Sequence, residues 1–489
     1  MFNNDDFLLL IMESPVPSNP GKKNGLLIGV IAVVVVVVIV GSFIGIDYHN
    51  LFGAKKTTTS TPTPPAVKPK IFVYSGPSGP SNANHLLGGC VIGIMSNGAT
   101  PVASEQLMAY LLNPYIQQGC EAATGFIPVD SGAFSSSPSH TVPTLYSPNN
   151  ASTTVYYYNS LTTSDETYVS NVISHFEASY PNIHVHPSFI RATDIINEVK
   201  TLEADHSTEN VVMTIDNIDI GTLFFDGYLY NLTSAASAIT AGAGEIQSVT
   251  NLNNYETHVF GGIYFMTQLV NIPLVWINYS AMQKAGITTP PKTDAQLLTD
   301  AKTLDTYYGT GMINFQGHGG ASTPTEVYQW MVQFGGNPMV FNDTGDIAAM
   351  DYLLNLSQYF SPDYTSSYWA TISGLPSNTY TMMDYQWPGS VNVTQLGMTP
   401  YNSSDTVINA SFNAIQSGVF IRDPVAWLSQ WQFYMDNAWI SIIEEHASLS
   451  SVPSILGAQN AAMWSYLNTT YNAAYGMQYE DGLYQPIVA

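Results

Sequence analysis

Thr154-Val-Tyr-Tyr-Tyr158, Thr163-Ser-Asp-Glu166, Ile183-His-Val-His186, Ile195 to Leu202 and Asn210-Val-Val-Met-Thr-Ile215 alternate between two hydrophobic periods within about sixty residues. The first segment is β-branched and aromatic, the composition of a strand. Thr163 with Glu166 three residues on reads as a capping box, and Val169, Val172, Ile173 and Phe176 follow at helical spacing. Pro181 ends that helix. Ile183–His186 is a second strand, 195–202 a second helix and 210–215 a third strand, with Gly227-Tyr-Leu-Tyr-Asn-Leu232 closing the unit. Strand, helix, strand, helix, strand implies a mainly parallel, doubly wound α/β sheet.

Further along, Pro273-Leu-Val-Trp-Ile277 predicts a strand, and Thr293-Asp-Ala-Gln296 caps a helix bearing Leu297, Leu298, Ala301 and Leu304. Ser135 to Asn150 reads as a surface loop. The roughly 420 residues after the N-terminal region exceed one ordinary core, so two α/β lobes are expected, 71–270 and 271–489.

The N-terminal region has a different character. Leu26 to Ile46 is almost purely apolar; as a helix it would be about 31 Å long, the thickness of a bilayer's hydrocarbon core. Lys22 and Lys23 precede it and Asp47 follows, which places residues 1–25 in the cytoplasm and the remainder outside. A cleaved secretory signal is the alternative to a retained anchor. Residues 55–70 are rich in Thr and Pro, an extended spacer at about 3.1 Å per residue.

Thirty-six acidic residues against twelve basic ones give a formal charge of -24. Beyond Lys70 the only Lys and Arg residues are Arg191, Lys200, Lys284, Lys292, Lys302 and Arg422. No basic patch exists, which excludes nucleic acid as a partner. An acidic surface loses its self-repulsion in acid, so the composition suits an acidic habitat. Asn-x-Ser/Thr sequons stand at Asn150, Asn231, Asn278, Asn342, Asn355, Asn392, Asn402, Asn409 and Asn468, all on the outer side. The two cysteines, Cys90 and Cys120, are expected to pair in an oxidising exterior, two buried thiols being the alternative.

Together these segments resemble the extracellular solute-binding proteins of ABC importers, in the maltose-binding-like sugar class. The resemblance rests on Glu166 to Ile183, on Asn210-Val-Val-Met-Thr-Ile-Asp-Asn217 through Gly227-Tyr-Leu, on Pro273 to Gly286 with Pro290-Pro-Lys-Thr293, on Trp330 to Gly336, and on Met382-Met-Asp-Tyr-Gln-Trp-Pro388. Lys22-Lys23-Asn24-Gly25 before the apolar run is similar to the pilin-type signals of archaeal surface proteins, pointing to an archaeal, membrane-anchored type. One departure stands out. Leu87-Gly-Gly-Cys-Val-Ile-Gly-Ile94 and Gln106 to Val129 resemble a strand and helix that come late in that family, so a circular permutation is expected, with an unrelated N-terminal subdomain as the alternative.

The resemblance implies a two-lobed fold that closes over a sugar or oligosaccharide and delivers it to an ABC permease in the same membrane, without catalysis and without a cofactor. Open parallel sheets bind ligands beyond the carboxyl ends of their strands. The candidate ligand residues are therefore Gly89, Asn159, Ser160, Asp216, Asn217 and Asn271 in the first lobe, and Gln316, His318, Tyr385 and Trp387 in the second. His184 and His186 alternate on one strand face without a third ligand, so no metal site is expected. No His-Glu-x-x-His, Gly-x-Ser-x-Gly or phosphate-binding glycine loop occurs. The rival expectations are a secreted glycoside hydrolase and a structural, pilus-like surface glycoprotein.

Overall fold

The computed structural model describes residues 70–124, 127–160, 166–241, 254, 257–367, 382–386 and 406–470. Lys68–Ala489 forms one compact unit. The apolar run at 26–46 lies outside the described residues, and among these no helix is long and apolar enough to cross a membrane.

In chain order the strands are β1 (Ile71–Tyr74), β2 (His85–Leu86), β3 (Gly88–Ile94), β4 (Ile127–Pro128), β5 (Thr153–Asn159), β6 (Ile183–Phe189), β7 (Asn210–Asp216), β8 (Phe265–Asn271), β9 (Leu274–Asn278), β10 (Ile313–Asn314), β11 (Met382–Gln386) and β12 (Val419–Phe420). The first lobe is a six-stranded sheet in the order β4-β8-β3-β7-β5-β6. β5 runs parallel to both β6 and β7, as the alternating pattern predicts. Helices α1 (Pro101–Leu111), α2 (Pro114–Thr124), α3 (Glu166–Ser179), α4 (Ala192–Ala204) and α5 (Ile220–Phe225) cover the sheet.

The pleat of β7 shows why both faces are covered. Val212 packs with Leu107 of α1 and Val172 and Phe176 of α3, while Val211, Met213 and Ile215 pack with Ile195 and Val199 of α4 and Leu223 of α5. Successive side chains point to opposite faces, so a continuous apolar run needs a helix layer on each. Burying a side chain such as Phe176 contributes about 1.5–3 kcal/mol.

β3 decides the topology. It lies between β7 and β8, antiparallel to both, and so fills the slot beside the third strand of the parallel unit. Residues 227–232, expected to close that unit, run beside the end of β3 with a single bridge, Leu229 to Met95. Their place in the sheet is taken.

The second lobe holds the sheet β1-β9-β11-β10. β1 pairs antiparallel with β9, Ile71 opposite Asn278, so residues 71–74 lie in this sheet and not in that of the first lobe, where the expected 71–270 boundary placed them. Around the sheet stand α6 (Tyr279–Lys284), α7 (Asp294–Tyr308), α8 (Ser322–Gln333), α9 (Thr344–Ser357), α10 (Thr406–Ser417), α11 (Leu428–Trp439) and α12 (Val452–Thr470). Thr293 caps α7 by accepting the Gln296 N–H, and Gly309 ends the helix in the left-handed conformation. The core is rich in tryptophan: Trp330, Trp427, Trp431 and Trp439 are all fully buried.

Among the described residues the chain passes between the lobes twice, from β2 to β3 and from β8 to β9. β12 pairs parallel with β2 beside the first crossing. A separate apolar cluster surrounds the crossings, with Leu87, Val270, Ile272 and Leu274 from the chain that crosses and Ala410, Ala414 and Ile415 from α10.

Cys90 on β3 and Cys120 on α2 are both buried, and the expected disulfide does not form. Burial alone explains two thiols in a dense core.

Candidate functional site

The topology gathers the expected first-lobe residues at one edge. Because β8 is antiparallel to β3 and β3 to β7, the strands β5, β6, β7 and β8 all run the same way. They end at Asn159, Phe189, Asp216 and Asn271, where β3 begins and both crossings lie. The side chains then diverge. Asn159 is fully buried and donates from Nδ2 to the Tyr157 hydroxyl at 2.8 Å. That hydroxyl lies 2.9 Å from Thr214 Oγ1, which donates to Gln268 Oε1 at 2.8 Å. A polar chain inside the first lobe thus uses the Asn159 amide, which faces the core with Val155 and Tyr157. Ser160 donates to the Thr214 carbonyl at 3.1 Å. Asn271 is buried, and its side-chain oxygen makes no hydrogen bond among the described residues. An acceptor buried without a donor is costly, so this group suits an incoming hydroxyl.

At Gly89 the space that a side chain would fill is taken by a neighbouring strand. Its φ is +135°, and a Cβ there would stand 2.1 Å from the Leu269 carbonyl oxygen. The missing side chain lets β8 approach at a bulge between Cys90 and Val91.

In the second lobe β10 leads into residues 315–321, which hang on the first turn of α8. Thr323 Oγ1 donates to the Gln316 carbonyl at 2.5 Å and accepts the Gly319 N–H at 2.8 Å. Glu326 accepts the Gln316 N–H at 3.2 Å. Gln316 is buried, whereas His318 is exposed. On the far side of this loop Asp436 of α11 lies close to Gly319. Its carboxyl is pushed up to about 7, by burial above all. Tyr385 lies on β11, whose parallel pairing with β10 brings its end to the same side; Trp387 lies outside the described residues.

Arg422 is the residue that sequence reasoning missed. It follows β12 and is buried. One guanidinium nitrogen donates to Thr325 Oγ1 of α8 at 2.8 Å; the other donates to Asn217 Oδ1 at 3.1 Å and stands 3.5 Å from Asp216 Oδ1. Burial lowers its pKa, and Asp216 offsets part of that. Asp219 beside it is pushed up to about 7 by burial and then by Asp216, with Arg422 acting against both. Asn217 also donates to the Leu87 carbonyl at 3.2 Å. The scarcity of cations in this chain was the one signal that could have singled Arg422 out.

His184 and His186 are exposed on β6, and His186 stacks on Tyr156. Among the described residues no group of His, Cys, Asp or Glu could hold a metal ion.

Residues 159–429, more than half of the chain, match the family model described as bacterial extracellular solute-binding protein. The chain belongs to this family. Solute-binding proteins of this family bind their solute and make or break no bond in it. Among solved structures, the sugar-binding protein MalE from the phytopathogen Xanthomonas citri is similar over 65% of this chain and 99% of its own, with TM-score 0.50 and 14% identity, which shows the shared fold. Maltose-bound MalE3 of T. maritima aligns over 63% of this chain and 100% of its own at TM-score 0.46 and 12% identity. The GacH receptor of Streptomyces glaucescens aligns over 66% of this chain and 100% of its own at TM-score 0.45 and 13% identity. No curated protein matches.

The sequons differ in accessibility. Asn150, Asn231, Asn342 and Asn468 are exposed and Asn355 is half-buried. Asn278 is fully buried, and its side chain caps α6 by accepting the Ala281 N–H at 3.0 Å. The folded domain leaves no room for a glycan there. Asn392 and Asn402 lie outside the described residues, as does the side chain of Asn409.

Proposed function

We propose that this solute-binding protein is tethered to the cell membrane by residues 26–46, holds its two lobes outside, and captures a sugar or oligosaccharide for an ABC permease in the same membrane. The observation that carries the reading is the convergence of four parallel strand ends and the loop at 315–321 beside the two crossings, where a hinge can close two lobes over a solute. Ligand would stabilise the closed form by touching both sides. Ser160, Asp216 and Asn271 are the proposed first-lobe contacts, with Gln316, His318, Tyr385 and Trp387 opposite; Asn159 and Asn217 support them from behind. Planar polar groups and aromatic faces are what sugar hydroxyls and C–H surfaces require. The sugar-binding MalE proteins that share the fold support this class of ligand.

We further infer a circular permutation. β3 and α1 precede the family match, which starts at residue 159, yet β3 sits inside the first sheet and makes the lobe one continuous stretch from Leu87 to Asn271.

Thermal unfolding of the compact unit from Lys68 onward, against mono- and oligosaccharides and short peptides, tests the reading. A ligand at a hundredfold excess over its Kd adds about 2.7 kcal/mol to the folded state. The expected result is a selective rise in melting temperature that Trp387→Ala abolishes; a broad sugar panel without any shift refutes the sugar assignment.

A further inference from the structure

Arg422 joins the two lobes through hydrogen bonds to a side chain of each, and it does so from a buried position. Its fork divides the work, with one nitrogen turned to Thr325 in the second lobe and the other to Asn217 and Asp216 in the first. Contacts on either side repeat the connection. Thr222 donates to the Ala426 carbonyl at 3.4 Å, and a Cβ on Gly221 would stand 2.4 Å from the Val425 carbonyl carbon.

Helix α8 carries the second-lobe end of this junction and much else. Thr323 and Glu326 hold the loop at 316–319, Gln329 accepts the Leu86 N–H at 2.9 Å at the first crossing, and Gln333 donates to the Asn84 carbonyl at 2.9 Å. The proposed ligand loop, the guanidinium and the crossing strand therefore hang within three turns of one rigid element.

We propose that Arg422 is a strut that fixes the spacing of the two lobes, so that moving one lobe about the crossings requires its bonds to Asn217 and Asp216 to break. It is a positioning residue and does not touch the solute. Lysine could not replace it, because a point charge cannot serve two lobes with separate, fixed donors. Movement of the 316–319 loop reaches Arg422 through Thr323, Glu326 and Thr325 on the same helix. The inference deepens the solute-binding reading but does not depend on which solute is bound.

The test needs no ligand. Nitroxide labels at Ser174→Cys on α3 and Lys302→Cys on α7, both exposed positions in different lobes, report the interlobe distance in the full chain by pulsed electron resonance; the native cysteines are buried. The expected result is one narrow distance population in the otherwise unaltered protein and an additional population in Arg422→Gln. Asn217→Ala, which keeps the guanidinium and removes the nearer of its two first-lobe acceptors, should add the same population, as should Thr325→Val from the other side. Lys200→Gln, which removes a cation paired with Asp226 within the first lobe, should leave the distribution unchanged. Folded Asn217→Ala and Thr325→Val proteins that both keep the single narrow population overturn the proposal, even if Arg422→Gln fails to fold. A changed distribution in a protein that binds no sugar of the panel would leave the strut standing and remove the sugar assignment alone.

Discussion

Asp294 is the first residue of α7 and is 5% exposed. Its backbone is well served: the N–H donates to the Ser78 carbonyl and the carbonyl accepts the Tyr352 hydroxyl at 2.8 Å. Its carboxyl is not, since neither oxygen has a hydrogen-bond partner among the described residues. Burial pushes the group from its ordinary value of 3.8 up to about 7. The folded state therefore binds a proton that the unfolded chain has released, and stability is greatest below pH 3.8, falls as pH rises, and levels off above about 7. Each pH unit in that window is worth about 1.4 kcal/mol, so the whole span costs about 4 kcal/mol. Asp294→Asn removes the titration at nearly constant shape. Any pH-independent cost of burying the amide cancels when the stability difference between variant and parent at pH 8 is compared with that at pH 4. Urea unfolding at both values should show the variant gaining about 4 kcal/mol between them. An equal difference at the two pH values would refute the assignment of a buried, protonated carboxyl. Asp219 and Asp436, also pushed up to about 7, bias the domain the same way, toward stability in acid.

Three further outcomes follow from packing. Gly221→Ala should lower the melting temperature although alanine favours a helix by about 1 kcal/mol, because the added methyl meets the backbone of Pro424 and Val425 at 2.4–2.5 Å and overpacking costs about 1–3 kcal/mol. A melting temperature that rises would show that the junction yields. Trp439→Ala, which removes a ring stacked on Phe315 at 4.7 Å and 13°, should cost about 3–5 kcal/mol in denaturant unfolding, and a cost under 1 kcal/mol would contradict its place in the core. In the protein isolated from its native source, mass spectrometry should find Asn278 unmodified even where Asn150, Asn231, Asn342 or Asn468 carries a glycan; a glycan on Asn278 would mean modification before α6 is capped.

Much of the fold was legible in the sequence where it depends on neighbours along the chain. Val169, Val172, Ile173 and Phe176 marked α3, and Thr293 with Gln296 marked the start of α7. The position of Asn159 after a strand was also legible, but its orientation was misjudged. It shares a pleat face with Val155 and Tyr157, both buried, and the period of two already placed it toward the core. Gly89 was legible as a point of close approach, since a glycine in a strand signals one, but not what approaches, which is the backbone of β8.

Local pattern was enough for a doubly wound α/β chain, its membership of a solute-binding class, and the edge of the sheet at which polar groups collect. Long-range packing sets the rest: β3 enters the sheet beside β7, 71–74 joins the second lobe, and Asp216 and Asn217 answer to Arg422 some two hundred residues away. The division has a physical cause. Helix caps, periodicity and strand composition are written in residues a few positions apart, whereas the partner of a strand edge or of a buried guanidinium is fixed only when the whole chain has packed, and nothing near Arg422 in sequence records which carboxylate it will meet.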